Sequence, residues 1–153
     1  MELEFEIGGN WTDGMVGRVL DIDWAVTEER VAEMLRRIVA TADPLQIIAF
    51  GSRARGDHRP DSDLDIAVVL DAPEDEVLTL LPYTVLRGID MSVDMIVVSK
   101  EKYDLHRPWI NSVYNYIDRE GIVLYAREYP DSARPSALHI GGARRVGTTV
   151  SAA

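Results

Sequence analysis

The 153-residue sequence predicts an α+β fold, α/β-like in its alternation, and three observations carry that prediction. An apolar face of helical period runs through residues 27–42. Four short apolar runs, at 45–50, 63–70, 92–98 and 122–126, have the length and composition of strands. Helical or turn-forming stretches separate these runs, as in a sheet with helices packed on it.

Residues 1–26 form an N-terminal extension that is hard to read: Glu2 to Ile7 alternates like an exposed strand, and Gly8-Gly9-Asn10 breaks it. Thr27 is a good helix N-cap, Glu28 and Glu29 suit the positive end of the helix, and Asp43-Pro44 ends it. Val31, Met34, Leu35, Ile38, Val39 and Ala42 give this helix one buried face. Strand 45–50 runs into Gly51-Ser52, with a short helical turn from Ser52, and strand 63–70 follows. Glu74 to Leu86 reads as a helix interrupted by Pro82. Strand 92–98 is rich in β-branched residues and has Asp94 embedded in it. Pro108 suits the first turn of a helix whose Ile110, Val113, Tyr114 and Ile117 share a face, stopped by Gly121. Residues 122–126 make a last short strand, and the Pro-, Gly- and Ser-rich residues 129–153 read as a flexible tail.

Composition narrows the function. The chain is 46% hydrophobic and 27% charged, ordinary for a globular domain of one core. No apolar run approaches the roughly 18–20 residues of a membrane span, and the acidic N-terminus lacks a secretory pattern, so a cytoplasmic protein is expected. The absence of cysteine excludes disulfides, a thiol nucleophile and zinc–thiolate sites. A net charge of −10 argues against a nucleic-acid partner, whose phosphates demand an excess of Lys and Arg. Lys100 and Lys102 are the only lysines; the remaining basic residues are arginines, which suit bidentate phosphate contacts. A small nucleotide or a protein partner is favoured.

The chemistry concentrates in Gly51-Ser52-Arg53-Ala54-Arg55-Gly56 and Asp61-Ser62-Asp63-Leu64-Asp65. Gly51 after a strand permits close backbone approach, and a helix begun at Ser52 would aim free N–H groups at an anion. Alone, a Gly-Ser turn more often just joins strand to helix. Asp63 and Asp65, two apart on a strand, point to one face about 6–7 Å from each other and can converge on Mg²⁺. Solvated acidic caps are the competing reading. Asp94 shifts the balance, because an unpaired carboxylate inside an apolar strand is costly without a metal or hydrogen bonds. Arg53 and Arg55 are placed to neutralise a triphosphate, or are plain surface arginines.

Together, Gly51-Ser52, a ten-residue spacer, Asp63-Leu64-Asp65 and a later strand aspartate, Asp94, resemble the signature of the DNA polymerase β-like nucleotidyltransferases, especially the minimal MNT type. The resemblance spans roughly residues 28–126 and frames a minimal nucleotidyltransferase domain at 27–128. It implies a mixed β-sheet with helices packed on it. It also implies transfer of a nucleoside monophosphate, AMP from ATP, to a hydroxyl, with two Mg²⁺ ions as cofactors. Gly51 and Ser52 would hold the triphosphate, Asp63 and Asp65 the metals, and Asp94 the catalytic metal and the attacking hydroxyl. Small MNT proteins resemble antitoxins that add AMP to a tyrosine of a partner HEPN toxin, so a hetero-oligomer is expected. A small-molecule transferase of the aminoglycoside type and a non-catalytic binding module, with Trp109, Tyr114, Tyr116 and Tyr125 on its surface, are the alternatives.

Overall fold

A computed structural model describes residues 3–4, 15–77, 79–127 and 151–152. Its centre is a four-stranded mixed sheet in the order β4-β3-β2-β5, from β2 (Gln46–Phe50), β3 (Leu64–Leu70), β4 (Val93–Ser99) and β5 (Ile122–Ala126). β2 is antiparallel to β3 and to β5, whereas β3 and β4 run parallel. A separate two-residue pair joins β1 (Leu3–Glu4) to β6 (Ser151–Ala152). The rest of the expected tail, 129–153, lies outside the described residues. The α+β class and the mixed sheet expected from the sequence are those observed.

Alternation along the strands builds two apolar layers. Ile47, Ala49, Leu64, Ile66 and Val68 face one side, where α1 (Glu28–Ala42) lays down Val31, Met34, Leu35, Ile38 and Val39. Ile48, Ala67, Val69, Val98 and Val123 face the other, against Tyr103 and Ile117. Those two residues come from α4 (Lys100–His106) and α5 (Val113–Glu120). α1 starts as its sequence indicates, with the Thr27 hydroxyl accepting from the Arg30 N–H at 3.2 Å. The same core takes in Met15, Val16 and Val26, so packing extends N-terminal of Thr27, into part of the unread 1–26 segment.

Two expected elements differ, and one helix has no counterpart in the sequence-based expectation. The 74–86 helix is two pieces, a 3₁₀ turn at Glu74–Glu76 and α3 (Leu81–Val85); Pro82 sits in the first turn of α3, where its missing N–H is harmless, rather than interrupting a longer helix. The helix expected from Pro108 starts at Val113 instead. Asn111 has φ of 78°, which no helix accommodates, and Ser112 caps the new start by accepting from the Asn115 N–H. Ile110, expected on the buried face, is consequently 78% exposed. α4 was not expected at all: β4 runs into it without a break, and its sequence signal is the Ser99 cap on the Lys102 N–H.

Gly121 ends α5 for a reason of space. Its φ of −71° suits any residue, but a Cβ there would lie 2.3 Å from the Ile117 carbonyl oxygen and 2.5 Å from Ile48 Cγ2. The glycine lets α5 pass directly onto β2. Gly121→Ala should therefore cost about 1–3 kcal/mol in denaturant unfolding, the usual range for overpacking; a change below about 0.5 kcal/mol would show that the contact yields freely.

Candidate active site

The sheet's register assembles the site. Phe50 pairs with Asp65 across β2 and β3, and Asp65 pairs with Asp94 across β3 and β4. Gly51 follows Phe50 directly, so the Gly-Ser turn stands beside the two aspartates at one end of the sheet. Asp65 and Asp94 share a face with Ala67, Val69 and Val98, the face covered by α4 and α5. Asp63 precedes β3 by one residue and is exposed. All three sequence-selected acids thus lie at this end.

Asp65 is the one residue of β3 that is not fully buried. Burial first, then the neighbouring Asp94 and Asp63 carboxylates, push its carboxyl above the usual aspartate range, while Arg55 pulls part of the way back. Asp94 does not fit the expectation of a costly buried carboxylate. β4 is an edge strand and Asp94 is exposed on it, so register rather than burial gives it significance.

Gly51 is held to glycine twice over. Its φ of 72° lies in the left-handed region, and a Cβ would stand 2.2 Å from the Asp65 Oδ2. The Gly51 backbone and the Asp65 carboxylate are packed against each other. Ser52 lies in α2 (Gly51–Arg55), whose N-terminus has no side-chain cap. With only five residues α2 carries a weak dipole, so its free amides matter more than its macrodipole.

The two arginines separate. Arg53, selected as a triphosphate ligand, is 2% exposed. Its Nη1 donates to the Met15 and Val16 carbonyls at 2.8 and 2.9 Å, its Nε to Ser62 O at 3.0 Å, and its Nη2 to Pro60 O at 3.3 Å. A guanidinium committed to four carbonyls is a structural clamp, with Asp63 near enough to act on its charge. Sequence alone gives no sign that these carbonyls converge. Arg55 is half-exposed, pairs with Asp57 and Glu120, and acts on Asp65.

Oxygen donors of this kind suit a hard divalent cation; burial first, and then the neighbouring carboxylates, raise the Asp65 pKa, and a cation would offset both. As the side chains stand, no group of three His, Cys, Asp or Glu among the described residues is closed around an ion position. One oxygen of Asp63 is instead held by the Ser92 hydroxyl.

The chain matches the nucleotidyltransferase-domain family over residues 28–120, more than half its length, and belongs to that family; it is a transferase of the nucleotidyl class. It is 38% identical over 80 residues to a Methanocaldococcus jannaschii protein provisionally named a protein adenylyltransferase, covering 52% of this chain and 77% of that one. Two solved structures are similar at lower levels. One is a Sulfolobus solfataricus protein provisionally described as a nucleotidyltransferase (26% identity, 65% of this chain and 79% of that one, TM-score 0.46). The other is a chain of a toxin–antitoxin complex with AMP-PNP (20%, 67% and 76%, TM-score 0.45). At these scores neither likeness adds to the assignment. No helix among the described residues is long and apolar enough to cross a membrane.

Two measurements check this geometry. Arg53→Ala should lose about 2–4 kcal/mol of stability, because buried carbonyls lose their donor, whereas Arg55→Ala should lose less than about 1 kcal/mol. Equal losses would mean that Arg53 is no clamp. For Asp65, the folded pKa is raised, so its ionised form destabilises the fold above that pKa, and the penalty disappears below the unfolded value near 3.8. In metal-free buffer, Asp65→Asn should raise Tm at pH 7, with the gain shrinking as pH falls through the raised pKa toward 4. A Tm gain independent of pH would place its cause elsewhere.

Proposed function

We propose that the protein is a Mg²⁺-dependent nucleotidyltransferase that moves AMP from ATP to a hydroxyl, a tyrosine of a partner HEPN-type toxin, in the cytoplasm. The observation that carries this reading is the register pairing Asp65 with an exposed Asp94 beside the Gly51-Ser52 turn. An acid at a sheet edge is accessible to a hydroxyl borne by another chain, and an acid beside a glycine turn is accessible to a triphosphate. The provisional name of the M. jannaschii relative is consistent with a protein acceptor.

In this reading the free amides of α2 and the Ser52 hydroxyl hold the triphosphate, and Arg55 offsets its charge. Asp63, Asp65 and Asp94 would hold two divalent ions. Bound there, the ions would neutralise phosphate charge and lower the pKa of the attacking hydroxyl. Asp94 orients that hydroxyl and accepts its proton as the oxygen attacks the α-phosphorus. A new P–O ester bond forms, the bond to the β-phosphate bridge breaks, and pyrophosphate leaves. The residues act by positioning and charge, as phosphoryl-group chemistry generally requires.

The net charge of −10 favours a partner with basic surface and disfavours nucleic acid. One observation supports a contact role as well: Trp109 and Tyr116 are 56% and 48% exposed, although Tyr125 from the same expected surface is buried. Neutralisation by contact alone is therefore the second reading.

With ATP, Mg²⁺ and the protein encoded by the adjacent gene, the partner should gain about 329 Da per AMP. Asp63→Ala and Asp65→Ala should fold normally yet slow transfer roughly a hundredfold or more. A partner inhibited without gaining mass would favour contact neutralisation; wild-type protein that binds no Mg-ATP in calorimetry would overturn the enzymatic reading.

A further inference from the structure

Asp63 lies outside β3, in the last loop residue before it, where the sheet ladder does not fix its side chain. It is nonetheless held from three directions. The residue before it is anchored by Arg53 Nε on the Ser62 carbonyl at 3.0 Å. The residue after it is anchored by the Leu64 N–H on the Ser92 carbonyl at 3.0 Å. Its own Oδ1 accepts from the Ser92 hydroxyl. Ser92 is fixed in turn, because its N–H donates to the Trp24 carbonyl at 3.2 Å. The chain from Met15 to Trp24 therefore reaches both holds, through the Met15 and Val16 carbonyls on Arg53 and the Trp24 carbonyl on Ser92.

A side chain with one carboxylate oxygen tied down presents the other in a limited set of directions. Such outer contacts orient metal ligands and raise affinity by limiting the freedom lost on binding. Ser92 is suited to this, since both sides of its backbone are bonded and only its χ1 remains to adjust. Its hydroxyl is also neutral, so it orients the carboxylate without removing the charge that a cation needs.

We infer that Ser92 is a positioning residue for Asp63, held in place by the Trp24 segment, and that it sets the affinity of the acidic site for a divalent cation. This rests on the reading of Asp63 as a cation ligand given above. Ser92 touches neither nucleotide nor acceptor in this account, and its effect is exerted through Asp63.

The experiment is Mn²⁺ binding to the full chain without nucleotide, followed by electron paramagnetic resonance, for wild type, Ser92→Ala and Ser92→Thr, with Tm measured on each. Ser92→Ala should bind Mn²⁺ roughly tenfold more weakly at nearly unchanged Tm, and Ser92→Thr, which keeps the hydroxyl, should recover most of the affinity. Unchanged Mn²⁺ affinity in Ser92→Ala would overturn the inference, as would a loss that the threonine variant fails to restore. Asp63→Ala serves as the control for the underlying reading. If wild type binds no Mn²⁺, or Asp63→Ala binds it as wild type does, the cation-ligand reading of Asp63 fails, whatever the serine variants do.

Discussion

Everything at the candidate site depends on one line of register across three strands. Phe50, Asp65 and Asp94 lie side by side, so the Gly51 turn at the end of β2 and an acid on each of β3 and β4 meet without any loop having to bring them together. Sheet register is strongly specified when both faces are buried, since a slip of one residue would turn apolar side chains outward. Here Ile66 and Val68 are locked under α1, and Ala67 and Val69 under α4 and α5. The hydrophobic core thus fixes the spacing of charges that the core itself could never stabilise.

The second support is electrostatic and comes from an unexpected residue. Arg53 lies two residues after the glycine turn, yet its guanidinium gathers carbonyls from residues 15, 16, 60 and 62. Burial lowers its pKa, and Asp63 nearby offsets part of that. A charged group enclosed this way would be costly alone, and four carbonyl partners compensate it. In exchange, the loop from α2 to Asp63 and the chain at Met15–Val16 become one packed unit. Met15 and Val16, whose carbonyls Arg53 holds, also join the core N-terminal of Thr27.

Much of this was legible in the sequence because it is local. The strands announce themselves by apolar runs, α1 by its Thr27 cap and its period, and the acids by their place at strand starts. What was missed is what depends on tertiary placement. Strand order makes β4 an edge, so Asp94 is exposed and its significance comes from its partner Asp65, which no periodicity reveals. The role of Arg53 depends on four carbonyls spread over nearly fifty residues. The helix expected at Pro108 failed on the single left-handed residue Asn111, and α4 was hidden because β4 passes into it with only the Ser99 cap to mark the change.

In the proposed reading Asp63, Asp65 and Asp94 form one cation site facing the Gly51-Ser52 turn. Crystals grown with Mn²⁺ and a non-hydrolysable ATP analogue test it most directly, through an anomalous-difference map recorded near the manganese edge. Manganese peaks are expected within direct bonding distance of Asp63, Asp65 and Asp94, with the triphosphate on the Ser52 amide. Manganese bound elsewhere, or a triphosphate seated away from the glycine turn, would contradict it.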